Sequence, residues 1–191
     1  MSDKYGSYPD SYGNTVEMLY KLDNGRCPLC GKKIIKLNMN SYNIDHVVPQ
    51  IVFKYADNNE LNELCNGYSN LLLVHKTCNV KKGIDFLDIN MLYLTKQRKK
   101  EILANMDSCK EYIEKFNGIR RKKIEEQKCK CAICSKYLKE EDTILRRIHG
   151  NKKRSLENSA AICRSCNRRY SNSKNSSNAY ITISNYVSHT F

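Results

Sequence analysis

The sequence predicts an α+β chain made of two tandem zinc-bound repeats joined by a helical linker, and three observations carry that reading. Cysteine pairs recur in two sets: Cys27-Pro28-Leu29-Cys30 with His75-Lys76-Thr77-Cys78-Asn79, and Cys131-Ala132-Ile133-Cys134 with Cys163-Arg164-Ser165-Cys166-Asn167. Between the sets, Leu92, Ile102, Met106, Tyr112, Ile113, Phe116 and Ile124 are spaced among Lys, Arg and Glu, as on amphipathic helices. Inside the first set, residues 32–37 and 44–48 alternate or cluster apolar side chains in the manner of strands.

Each element follows in order. Residues 16–22 read as a short helix leading into Asn24-Gly25 and the first cysteine knuckle, and 38–42 turn between the two strands. A helix is expected to start near Cys78 or Asn79. Residues 91–127 form one or two helices, interrupted near Asn117-Gly118. Residues 171–178, rich in Ser and Asn, read as loop, and 179–187 as a last strand. The implied organisation is a first repeat with its N-terminal extension over 1–90, a linker over 91–128 and a second repeat over 129–191.

The repeats agree beyond their cysteines. His46 lies 16 residues after Cys30 and His149 lies 15 after Cys134, while Asn70 and Asn158 each stand five residues before the second ligand pair. The span from first to third ligand is 48 residues in one repeat and 32 in the other, which places an insertion around residues 52–68 of the first.

Composition narrows the partners. Among 191 residues, 33 Lys and Arg face 20 Asp and Glu, a formal net charge of +13, so the chain favours polyanions and nucleic acid is the default partner. No apolar run is longer than residues 71–74 and the mean hydropathy is −0.65, which excludes a membrane span. Residues 1–14 lack the charged start and apolar stretch of a secretory signal, so a cytoplasmic location is expected. In a reducing compartment, C-x-x-C pairs among the ten cysteines read as metal ligands rather than disulfides. Two closed, structural zinc sites follow: Cys27, Cys30, His75 and Cys78; and Cys131, Cys134, Cys163 and Cys166. Cys65, Cys109 and Cys129 remain as free thiols, Cys129 being set aside because Cys131 keeps the repeat spacing.

Within the first zinc frame lie Asn43-Ile44-Asp45-His46-Val47-Val48-Pro49 and, after Asn70-Leu71, the run Cys78-Asn79-Val80-Lys81-Lys82-Gly83. Over residues 16–86 this pattern resembles the HNH endonucleases of the ββα-metal, or treble-clef, class, with His75 standing where Cys is usual. Phosphodiester cleavage needs an activated water and a cation to take up negative charge, and hard divalent cations prefer oxygen ligands. The resemblance implies that Asp45 and Asn79 hold a catalytic Mg2+ or Mn2+ and that His46 is the general base. By the same resemblance, Asn70 orients the loop bearing His46; Lys81 and Lys82, just inside the helix that Asn79 opens, are expected to contact phosphates.

In the second repeat Ile148 precedes His149, where Asp45 precedes His46, and an isoleucine cannot ligate Mg2+. The expected role there is DNA binding, through Arg146, Arg147, Lys152, Lys153, Arg154, Arg164, Arg168 and Arg169. The size and tandem frames are similar to small HNH restriction enzymes with two zinc repeats, which implies a homodimer cutting palindromic double-stranded DNA. The alternatives are a homing or phage HNH nuclease or nickase, and a non-catalytic zinc protein that binds nucleic acid.

Overall fold

A computed structural model describes residues 8–35, 38, 40–56, 61–83 and 86–171. The chain divides into two compact units, 1–113 and 114–191. It is a mixed α and β protein, and among the described residues each unit carries one two-stranded antiparallel sheet. Among the described residues no helix is long and apolar enough to cross a membrane.

In the first unit, helix α1 (Tyr12–Leu22) starts at Ser11, whose side chain accepts from the Asn14 amide, and buries Thr15, Val16 and Leu19 on one face. A left-handed turn at Asn24 and Gly25 (φ 53° and 65°) then reverses the chain into the knuckle. Residues 32–37, expected as a strand, contribute only a bridge between Arg26 and Lys33, and 36 and 37 lie outside the described residues. Strands β1 (Tyr42–His46) and β2 (Leu71–His75) pair from Tyr42 opposite His75 to His46 opposite Leu71. Leu71, Leu72, Leu73 and Val74 are all buried, so this apolar run is a strand covered on both faces. The insertion between the strands forms two short helices, α2 (Gln50–Phe53) and α3 (Asn62–Asn66). Helix α4 (Lys76–Lys82) follows β2 without a loop, two residues earlier than expected, and stops at Gly83 (φ 63°).

The stretch expected as a linker is shared between the units. Helix α5 (Lys96–Ser108) belongs to the first, because Arg98 is buried there and donates to the carbonyls of Tyr68 and Leu71, both at 2.7 Å. The guanidinium also lies 3.6 Å from the buried carboxylate of Asp23, which accepts from the Leu73 amide. Helix α6 (Lys110–Glu126) crosses the division at residue 113. The interruption falls at Cys109, not at Asn117-Gly118: an added Cβ at Gly118 would meet nothing within 4 Å, so this glycine sits on an open helix face and does not end the helix.

In the second unit, strands β3 (Thr143–Arg147) and β4 (Ser159–Cys163) pair from Thr143 opposite Cys163 to Arg147 opposite Ser159, and helix α7 (Arg164–Ser171) follows directly. Buried Gln127 ties the end of α6 to β4: its amide donates to the Ala161 carbonyl at 2.9 Å and accepts from the Ala161 amide at 2.8 Å. The loop expected over 171–178, beyond Ser171 itself, and the strand over 179–187 lie outside the described residues.

Cys129 has a backbone role. The amide of Leu138 bonds the Cys129 carbonyl at 2.8 Å as the amide of Ile34 bonds that of Gly25, and both residues have positive φ, 57° at Cys129. A side chain in this conformation is strained by roughly 1 kcal/mol. Cys129→Gly is therefore expected to raise the melting temperature by a few degrees while leaving bound zinc unchanged. Loss of a zinc ion in that variant would show that Cys129 is a ligand after all.

Candidate active site and metal centres

The four ligand atoms of Cys27, Cys30, His75 and Cys78 lie within 4.8 Å of one another, as do those of Cys131, Cys134, Cys163 and Cys166. Tetrahedral zinc with Zn–S bonds of about 2.3 Å sets its sulfurs about 3.8 Å apart. The Sγ atoms of Cys134 and Cys163 are 3.7 Å apart, and Cys30 Sγ is 3.3 Å from His75 Nδ1. The other ring nitrogen, Nε2, donates to the Lys33 carbonyl at 3.2 Å, which fixes the tautomer that turns a bare Nδ1 toward the cysteines. Each knuckle also aims a backbone amide at its first sulfur: His75 N at Cys27 Sγ and Cys163 N at Cys131 Sγ, both 3.4 Å. Burial raises the thiols of Cys27, Cys78, Cys131 and Cys166, to about 12 at Cys27, but hydrogen bonds outweigh burial at Cys30 and Cys163 and bring them down to about 7 and about 6. One thiolate in each cluster is thus favoured near neutrality. All eight sequence-predicted ligands come together, and both clusters can hold a structural zinc ion.

Asp45 and His46 end strand β1. Asn70, fully buried one residue before β2, holds the chain beyond them. Its Oδ1 accepts from the Val48 amide at 2.8 Å, and its Nδ2 donates to the carbonyls of Val48 and Cys65 at 3.1 and 2.7 Å. All three groups of the amide are used on backbone, so Asn70 fixes where the segment after His46 runs. It makes no hydrogen bond to the imidazole.

The imidazole is oriented by two residues that the sequence did not mark. His46 Nε2 is 3.1 Å from Asn66 Oδ1 and 3.3 Å from Gln50 Nε2. Gln50 stands four residues past His46, where the turn into α2 brings it back, whereas Asn66 comes from the insertion and had no sequence signal. Beside Asn66 a cleft of about 610 Å³ opens between Tyr8, Asn62, Glu63 and Tyr68.

Burial lowers the His46 pKa below 6.5; the Asn66 hydrogen bond and the Asp45 charge oppose it. The ring is therefore neutral at pH 7. Between its folded value and 6.5 the unfolded chain binds the proton and the folded chain does not, so this group costs stability as pH falls below 6.5 and is silent above. Asp23, raised from 3.8 to about 6 chiefly by burial, acts oppositely, losing stability as pH rises through that window. Urea midpoints measured across this range are expected to fall less toward acid in His46→Gln than in the wild type. Parallel curves would contradict a depressed imidazole.

Asp45 faces helix α4. Its Oδ1 accepts from the His46 amide at 2.9 Å and from Lys82 Nζ at 3.2 Å; its Oδ2 is buried, 3.0 Å from the same ammonium, and carries no hydrogen bond. Lys82 also donates to the His46 carbonyl at 2.9 Å. Lys82, expected on a phosphate, is thus turned inward, while Lys81 is exposed. Asn79 precedes Lys82 by three residues on α4 but makes no hydrogen bond to Asp45. Both carboxylate oxygens of Asp45 lie within 3.2 Å of the Lys82 ammonium, so a cation can take Asp45 as a ligand only by displacing Lys82; Asn79 lies on the same helix, α4.

The second unit repeats this hydrogen-bond frame with a different register from the one expected. Asn158 accepts from the His149 amide at 2.8 Å and donates to the carbonyls of His149 and Lys153 at 3.1 and 2.7 Å, the three bonds that Asn70 makes. His149 therefore stands where Val48 stands, outside the strand, and not where His46 stands. Counted along the paired strands, the places of Asp45 and His46 belong to Arg146 and Arg147, so the opposition of Ile148 to Asp45 is corrected by two residues. Of the other basic residues, Lys152, Lys153, Arg168 and Arg169 are exposed and Arg154 is half-buried. Arg164 is engaged within the fold, 3.2 Å from Asp142 and donating to the Glu141 carbonyl.

No known protein family, curated protein or solved structure matches the chain.

Proposed function

We propose that the chain is an HNH-type endonuclease that hydrolyses phosphodiester bonds of double-stranded DNA, built from two treble-clef repeats each stabilised by zinc. The first repeat cuts and the second binds. The observation that carries this reading is the arrangement at the end of β1: an Asp45-His46 pair held by Asn70 within a Cys3His frame, with the carboxylate turned to the helix that bears Asn79.

In this reading Asp45 and Asn79 would hold a Mg2+ or Mn2+ ion, which would supply charge stabilisation for the phosphate and the leaving oxygen. The hydrogen on His46 Nε2 points to Asn66, the shorter of its two contacts, and leaves Nδ1 as the base that takes the proton from water. Asn66 accepts from the ring and restrains it so that the proton transfer is directed; Gln50 Nε2, itself a donor, only lies beside the same nitrogen in this tautomer. Lys82 is ion-paired with Asp45 and would have to release it for a cation to be held there. The positive charge of +13 draws the duplex to the protein.

One catalytic pair per chain needs two chains to cut both strands, so the particular role we propose is a homodimeric restriction enzyme acting on palindromic sites. The Lys82–Asp45 ion pair also suits a non-catalytic zinc protein in which Asp45 is merely a partner for a buried lysine. Digestion of plasmid DNA with and without Mg2+, followed by end sequencing, separates the two readings. Discrete metal-dependent ends are expected. Absence of metal-dependent cleavage overturns the nuclease, and cleavage by a monomer in sedimentation overturns the dimer.

A further inference from the structure

The two register positions that carry a carboxylate and an imidazole in the first unit carry two guanidinium groups in the second. Arg146 Nη1 lies 3.5 Å from Asn167 Oδ1, and Asn167 follows Cys166 on α7 as Asn79 follows Cys78 on α4. Helix α7 thus faces Arg146 as α4 faces Asp45. Arg147, at the place of His46, is half-buried, and its Nε is buried without a hydrogen bond.

Reversing the charge at this position changes what it can hold. A carboxylate repels a phosphate and needs a cation between them, whereas a guanidinium binds a phosphate directly and in a forked geometry. We propose that the end of β3 is a metal-free seat for one backbone phosphate of duplex DNA, gripped by Arg146, which Asn167 steadies, and by Arg147. This goes beyond a general basic surface and rests on the DNA-binding reading of the second unit. Exposed lysines and arginines on the same unit add to its field. Both arginines are half-buried, and Arg146 is held by Asn167, so the pair has less side-chain freedom to lose on binding than the exposed lysines and arginines and carries more of the affinity per residue.

The test uses the full-length, zinc-loaded chain and a fluorescein-labelled duplex in buffer without Mg2+ and without chelator, with anisotropy read across a salt series. Arg146→Ala and Arg147→Ala are each expected to weaken binding about tenfold and to reduce the slope of log affinity against log salt by about one. Arg146→Lys should restore the salt slope but only part of the affinity, since the charge returns without the fork. Bound zinc shows whether each variant is folded; if Arg146→Ala loses zinc, Arg146→Gln replaces it in the same assay. Unchanged affinity and slope in both alanine variants, with cleavage by the wild type intact, would overturn the phosphate seat and leave the nuclease standing. A wild type that neither binds nor cuts duplex DNA would overturn both.

Discussion

Asp45→Asn is expected to lower the rate of metal-dependent DNA cleavage by on the order of a thousandfold while the protein retains two zinc ions per chain. Asparagine keeps the oxygen that accepts from His46 and Lys82 but loses the charge that a divalent cation requires. Alanine is the poorer choice. The side chains of Lys82 and Asp45 are only 4% and 10% exposed, and stripping the partner from a buried ammonium costs about 3–5 kcal/mol. A loss of activity in Asp45→Ala would therefore mix catalysis with unfolding. Pairing Asp45→Asn with Lys82→Met removes the stranded charge, so the double variant is expected to melt above the single one and to stay inactive. If the double variant regained cleavage, Asp45 would be a structural partner of Lys82 and not a metal ligand.

Removing zinc is expected to unfold both units. Each brings its sheet, knuckle and helix together around one ligand cluster, and a structural zinc ion contributes an apparent 10–16 kcal/mol in small domains, more than a domain of this size can lose. Chelation at neutral pH should release two zinc ions per chain and abolish the cooperative melting transition, and re-addition of zinc should restore it. Cys166→Ser should release one ion and leave the amide signals of the first unit's strands dispersed. A folded, metal-free chain would remove zinc from the account.

The parts of this architecture that a reader of the sequence can find are those set by short spacings. Each pair of ligands is separated by two residues, and Asn70 and Asn158 each precede a strand by one residue, so ligands and clamps were legible. The roles of Arg98 and Gln127 were not, because a buried polar side chain that bonds backbone some 27 to 34 residues away leaves no local pattern. His149 misled for a related reason. Matching it to His46 aligns identical residues, whereas the strands are matched by their hydrogen bonds, and those place Arg147 opposite Ser159 as His46 is opposite Leu71. Lys82 was misread as a phosphate contact: three residues after Asn79 it shares the helix face turned to β1, which directs it to Asp45 instead of solvent.

Cleavage in the first unit is proposed to depend on His46 acting as a base on a water. The most direct measurement of that role is the single-turnover rate of plasmid cleavage in Mg2+ by the wild type and by His46→Ala, both shown to carry two zinc ions. Metal-dependent cleavage by the wild type and a loss of about a hundredfold to ten-thousandfold in the variant are expected. Equal rates in the two proteins, or no cleavage by the wild type in Mg2+ or Mn2+, would contradict it.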